Sequence, residues 1–153
     1  MLYSVITPFN HAHTAGNQMK LQARSLNPGN VTAEVFLVEQ AFSFIGDFDP
    51  HTGALLIPHH PHYGESLAGK ALVCPGGKGG TMAPFLIYEA FQQGNAPAAI
   101  ICNRADPILF ESAMAINIPI FDNFAEDVLT LFKKGQLVAI NGEDISICTL
   151  DNR

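Results

Sequence analysis

The residues best suited to chemistry lie in one short run, Cys74-Pro75-Gly76-Gly77-Lys78-Gly79-Gly80-Thr81-Met82-Ala83-Pro84. Four glycines in five positions let a chain turn tightly and bring bare backbone N–H groups close to a bound anion. A helix start just beyond them would add its positive dipole end, and Lys78 a full charge. The chemistry this suggests is a clamp on a small carboxylate or phosphate, made by Gly76, Gly77, Lys78, Gly79, Gly80 and Thr81. Thr81 can either cap the helix or turn its hydroxyl to a ligand. Neither nucleotide-loop spacing is present: no Gly-x-x-x-x-Gly-Lys-[Ser/Thr], and Met82 stands where Gly-x-Gly-x-x-Gly needs its last glycine. A flexible strand-to-helix turn is the plain alternative.

Other clusters carry less. His59-His60-Pro61-His62 puts three imidazoles in four residues, but an extended piece lets only His60 and His62 share a face, and no fourth ligand or carboxylate support is evident. A surface loop accounts for it, as it does for His11-Ala12-His13. Asp106 follows an apolar strand at the end where α/β ligands collect, yet Asp before Pro107 is first of all a helix N-cap. Asp47 and Asp49 read as solvated turn residues.

The elements that must position the loop can be read by pattern. Lys70–Cys74 is a buried strand that Pro75 ends. Residues 85–93 form a helix with Gly94 after it. Ala98–Cys102 is a continuous apolar run of strand length, as in a sheet covered on both faces. Asp106-Pro107 opens another helix, and Ile118–Phe121 is a strand. Ala125–Lys134 reads as an amphipathic helix, acidic at its start, basic at its end and stopped by Gly135. Gln136–Ile140 and Ile145–Cys148 flank Asn141-Gly142, a type I′ hairpin signal. Ala33–Val38 is β-rich, Ala54–Ile57 is a short apolar run, and the stretch before Asn30 reads as a loop between short strands. The fold class is α/β in one domain over residues 1–153: mostly β in the N-terminal half, β/α in the C-terminal half.

Composition narrows the function. With 48% hydrophobic and 14% charged residues the chain has the means for a packed core. A formal charge of −6 with scattered cations excludes binding to a nucleic-acid backbone. No apolar run approaches the roughly 20 residues of a membrane span, and Met1–Ile6 lacks the start of a signal peptide, so a cytoplasmic protein is expected. Cys74, Cys102 and Cys148 are too few and too far apart for a disulfide frame or a Cys-x-x-Cys metal site, and read as reduced core thiols.

The order of motifs resembles the small subunit of aconitase X proteins. It is carried by Glu39–Gly53 (EQAFSFIGDFDPHTG), His60–Lys70, Pro75–Thr81, Glu89, Gly94–Ile101 and Ala105–Ile108, and runs from about Val35 to Gly142. The resemblance implies a swivelling β/β/α domain and a hydro-lyase that dehydrates a small hydroxy acid. Family members include archaeal mevalonate 5-phosphate dehydratase and bacterial cis-3-hydroxy-L-proline dehydratase; abundant Asn, Gln and His, as in a mesophile, tilts the expectation to the hydroxyproline-like substrate. It also implies a large-subunit partner that carries an iron or iron–sulfur centre on its own cysteines, with no cofactor in this chain and no activity alone. In the family the loop resembles Gly-(Lys/Arg)-Gly-Ser, with the serine as base. Here Gly80 stands at that position. Three alternatives follow: Thr81 substitutes, the base comes from elsewhere, or the chain is an inactive or altered anion-binding regulatory module on the same fold. A phosphohistidine swivel domain using His59 or His60 is a further reading, weakened because that Pro-containing loop lacks a helix start to hold a phosphate.

Overall fold

A computed structural model of the chain describes residues 17–149; His11 and His13 lie outside them. In chain order the elements are β1 (Asn17–Leu21), β2 (Arg24–Asn27), β3 (Gly29–Leu37), β4 (Ala71–Cys74), α1 (Ala83–Gln92), β5 (Ala99–Cys102), α2 (Pro107–Ile116), β6 (Ile120–Asp122), α3 (Val128–Leu131), β7 (Leu137–Gly142) and β8 (Asp144–Thr149). The strands run in the order β1-β8-β7-β3-β4-β5-β6-β2.

β3 joins two kinds of sheet. Its first part, Gly29–Glu34, pairs antiparallel with β7; its end, Val35–Leu37, pairs parallel with β4. β5 and β6 continue the parallel part. Along β4 and β5 alternate side chains enter different cores, as a pleated strand requires. Leu72, Cys74, Ile100 and Cys102 join Ile87, Ala90, Leu109 and Ala113 under the helices. Ala71, Val73, Ala99 and Ile101 join Val138, Ile140, Ile145 and Ile147 of the antiparallel strands. Helices, parallel sheet and antiparallel sheet thus make three layers, the β/β/α arrangement expected from the resemblance. Complete burial on both faces explains why the β4 and β5 runs are apolar without alternation.

Helix starts follow local chemistry. Asp106 caps α2, its Oδ2 accepting the Ile108 amide at 3.2 Å, with Pro107 in the first turn. α1 begins two residues earlier than expected and has Met82 at its N-cap with no side-chain cap bond. Gly94 does follow its C-cap, Gln93.

Two readings need correction. The helix expected over 125–134 is a single turn. Asn103 Oδ1 accepts the Val128 amide at 2.9 Å and Asp127 accepts the Leu129 amide at 3.0 Å, which sets the start late. Phe132, in extended backbone, leaves the helix to stack edge-on against Phe124 at 5.6 Å; tertiary packing overrides the amphipathic pattern. In the β7–β8 hairpin Asn141 pairs with Asp144. The turn is therefore Gly142-Glu143, and only Gly142 has positive φ, at 68°, the II′ pattern instead of I′. The short apolar run Ala54–Ile57 buries Leu55 and Ile57 and is held by isolated bridges, Phe48 with Leu55 and Ala54 with Ser66.

Candidate functional site

The glycine loop leaves the carboxyl end of β4 and lies between two neighbours. On one side is the segment after β3, where Phe42 pairs with Gly77: Phe42 N donates to Gly76 O at 3.0 Å and Lys78 N donates to Phe42 O at 3.2 Å. On the other side is the start of α2. The loops after three parallel strands therefore meet at one edge of the sheet, where ligands of open α/β folds bind.

Two of the loop's glycines have a packing reason. A Cβ on Gly77 would strike the Asp106 carboxyl group and come within 2.9 Å of Leu109 Cγ; only a bare backbone lets the loop lie on α2. Gly80 has φ +100°, and a Cβ there would come within 3.0 Å of Ile45 Cδ1 and 3.2 Å of Ser43 Oγ. Packing and turn geometry thus account for glycines whose number alone had suggested an anion.

Of the six residues expected to form a clamp, two have their amides engaged within the protein: Gly76 N faces the Cys74 thiol and Lys78 N serves the Phe42 carbonyl. The amides of Gly79, Gly80, Thr81 and Met82 donate to no acceptor among the described residues. They sit at the uncapped start of α1, mostly on exposed residues. Thr81 is exposed and does not cap the helix; its hydroxyl has no partner among the described residues. The crevice beneath the loop, lined in part by Phe42, Ser43, Gly79, Asp106 and Ser112, has no room for a water molecule. An anion held by these amides would rest on the outer rim of the loop, an open shelf.

Two further residues belong to the site: Ser43, which the sequence reading did not pick out, and Asp47, which it took for a solvated turn residue although it is buried. Ser43 is buried, and its Oγ donates to Gly79 O at 2.9 Å while accepting the Ile45 amide at 3.0 Å. Asp47, also buried, accepts the Ser43 amide at 3.0 Å through the same oxygen that pairs with Lys78 Nζ at 3.0 Å. The available signal was their position: two polar residues in the otherwise apolar run Phe42-Ser43-Phe44-Ile45-Gly46-Asp47-Phe48. Asp49 does something separate, holding the His51 amide at 2.9 Å.

The histidines form a different construction. His60 Nδ1 accepts the His62 amide at 3.0 Å, so in the neutral ring Nε2 carries the hydrogen and donates to Glu39 Oε1 at 3.0 Å. His62 Nδ1 meets Glu65 Oε2 at 2.9 Å, and Glu65 also pairs with Lys134 at 3.2 Å. The His62 and Lys134 bonds hold the Glu65 carboxyl below its ordinary range. The two rings do share a face, 5.6 Å apart, but each is spent on its own carboxylate. His59 lies on a backbone of positive φ, 64°.

As for metals, no group of three His, Cys, Asp or Glu side chains converges among the described residues. Burial pushes the Cys74 thiol up to about 12 and the Cys102 thiol higher still; neither offers a thiolate near neutral pH. This donor set does not fit an iron or iron–sulfur centre.

Next to the loop, α1 presents an apolar row to the outside: Met82, Phe85, Tyr88 and Phe91, with Phe85 66% exposed. Phe110 and Met114 of α2, one turn apart, are exposed as well.

A family model described as Aconitase X swivel domain matches residues 20–148. This chain belongs to the aconitase X swivel-domain family. A phosphomevalonate dehydratase small subunit of Methanococcoides burtonii is 37% identical over 123 residues, 80% of this chain and 90% of the relative. The one of Pyrococcus horikoshii is 36% identical over 126 residues, 82% and 92%. Among solved structures, aconitase X of Thermococcus kodakaraensis in its holo-form matches with a TM-score of 0.78 and 32% identity, covering 85% of this chain and 98% of that one. A UPF0107 protein solved by solution NMR matches with a TM-score of 0.76 and 29% identity, covering 88% of this chain and all of that one. The swivel fold expected from the motif order is thus the fold of this family, and no helix of the described residues is long and apolar enough to cross a membrane.

Proposed function

We propose that this chain is the small subunit of a hydro-lyase of the phosphomevalonate dehydratase type, and that its glycine loop holds the carboxylate of a small hydroxy acid while a large subunit closes over it. One observation carries the reading: four unengaged amides, from Gly79 to Met82, line the uncapped start of α1 next to Lys78, in a chain whose relatives are named small subunits of such an enzyme.

Dehydration removes a proton from the carbon beside the carboxylate and a hydroxide from the next carbon; the electron pair of the broken C–H bond becomes the double bond, and water leaves. The step builds negative charge on the carboxylate, so donors fixed there lower the barrier. The amides of Gly79, Gly80, Thr81 and Met82 and the Lys78 ammonium are such donors, set on a helix start that favours anions. The resemblance assigns an iron or iron–sulfur centre to the large subunit, and such a centre would supply Lewis acidity at the leaving hydroxyl. An open shelf also suits a half-site, because the partner supplies the other wall. The apolar row from Met82 to Phe91 begins where the shelf ends; we assign it to the same large subunit, which would exclude water from both.

The names of the relatives favour mevalonate 5-phosphate over the hydroxyproline-like substrate that composition suggested. A second reading, anion binding without turnover, draws on Gly80 in place of the family serine. Co-expression with the neighbouring large-subunit gene tests both. Co-purification and dehydration of mevalonate 5-phosphate or cis-3-hydroxy-L-proline are expected. A complex that is stabilised by these acids but turns over neither would favour the regulatory module, and failure to co-purify would overturn the subunit reading.

A further inference from the structure

Position 80 is strained for the serine that the resemblance assigns to it. With φ at +100°, the backbone is in a region that residues with a Cβ rarely adopt, and the space a Cβ would enter is bounded by Ile45 Cδ1 at 3.0 Å and Ser43 Oγ at 3.2 Å. The hydroxyl already standing beside that place belongs to Ser43. It reaches the loop from the segment after β3, donating to the Gly79 carbonyl, and is itself held by the Ile45 amide. Its own amide is tied to Asp47 Oδ2, which also receives Lys78 Nζ.

We infer that Ser43 is a positioning residue of the candidate site: its hydroxyl occupies the surroundings of residue 80 and fixes the loop through Gly79, so that the site is built to work with glycine, and not serine, at position 80. The chain of contacts reaches both groups that face an anion. Fixing the Gly79 carbonyl fixes the plane of the next peptide and thus the direction of the Gly80 amide. Through the shared Asp47 oxygen, the same segment sets where Lys78 rests. Ser43 is buried, and its donor and acceptor are both satisfied inside the protein; it acts on the loop and not on a substrate. The consequence runs against simple restoration: placing serine at position 80 should harm this protein.

The inference rests on the dehydratase reading only for its kinetic test. In the complex with the large subunit, Ser43→Ala is expected to lower kcat at least tenfold, since a loop misplaced by about an ångström loses rate in that range. Ser43→Thr, which keeps the hydroxyl, should recover most of the loss, and Gly80→Ser should lower kcat as well. Wild-type kcat in Ser43→Ala, or a gain in Gly80→Ser, would overturn the inference. A second readout needs no turnover. In 1H–15N spectra of the full chain, Ser43→Ala should move the Gly79, Gly80 and Thr81 amides while Ser43→Thr leaves them near their wild-type positions. Unmoved amides in Ser43→Ala would refute the inference even where the dehydratase reading holds. Moved amides in a complex that dehydrates nothing would leave the positioning role standing and the reading fallen.

Discussion

The backbone of Gly77 rests directly on the Asp106 side chain, joining the glycine loop to the first turn of α2. One Asp106 oxygen caps that helix; the other is buried without a hydrogen-bond partner among the described residues. The loop thus covers an uncompensated polar atom and has no slack on that side. Gly77→Ala is expected to destabilise the protein by about 1–3 kcal/mol, the usual cost of overpacking. Thr81→Ala, at an exposed hydroxyl without a partner, should stay within about 0.5 kcal/mol. Chemical denaturation of the two variants checks this, and equal losses would contradict the packing described.

The apolar row on α1 is expected to be an association surface. Phe85→Glu should leave the thermal transition of the isolated chain nearly unchanged, because the ring is mostly exposed. It should abolish co-purification with the large subunit. Retained co-purification with normal stoichiometry would move the interface elsewhere.

How much of this could be read in advance depends on the range of the interaction. Buried strands were legible because β4 and β5 are covered on both faces and carry unbroken apolar runs; their order in the sheet was not, because pairing partners lie far apart in the chain. Asp106-Pro107 was legible because a cap acts within three residues. The single turn α3 was not, since Asn103, some two dozen residues earlier in the chain, decides where it begins. The loop was legible as a loop, but the assignment of its glycines to an anion missed that Gly77 answers to Asp106 and Gly80 to Ser43, contacts across 29 and 37 residues that no local pattern reveals. Ser43 was missed, and Asp47 was taken for a solvated turn residue, for the same reason.

Acid sensitivity should depend on Arg24. Burial alone would raise the Asp122 carboxyl. The bidentate bonds from Arg24, at 2.8 and 2.9 Å, and the Ala105 amide at 2.9 Å outweigh burial and hold it below the ordinary value. A depressed carboxyl contributes stability in full above its unfolded pKa of about 3.9 and loses it as the pH falls through the folded value. Arg24→Ala removes the largest of the contributions that lower this carboxyl, leaves burial less opposed, and should move the acid-unfolding midpoint to higher pH. An unchanged midpoint in a fluorescence-monitored titration would contradict this.

The thiols should differ in reactivity. Cys74 and Cys102 are buried and held protonated, whereas Cys148 is only half-buried, though its thiol is also raised. Iodoacetamide at pH 8 should label Cys148 first, and the other two only as the protein unfolds. Peptide mass spectrometry reads the order; early labelling of Cys102 would be inconsistent with the two-sided core.

The claim that the shelf of amides from Gly79 to Met82 grips the substrate is met most directly by hydrogen–deuterium exchange on the assembled complex, with and without mevalonate 5-phosphate. Slowed exchange in peptides spanning residues 76–85, lost again in Lys78→Ala, is the predicted result. A complex that turns the substrate over while those amides exchange at the same rate with and without it would contradict the account.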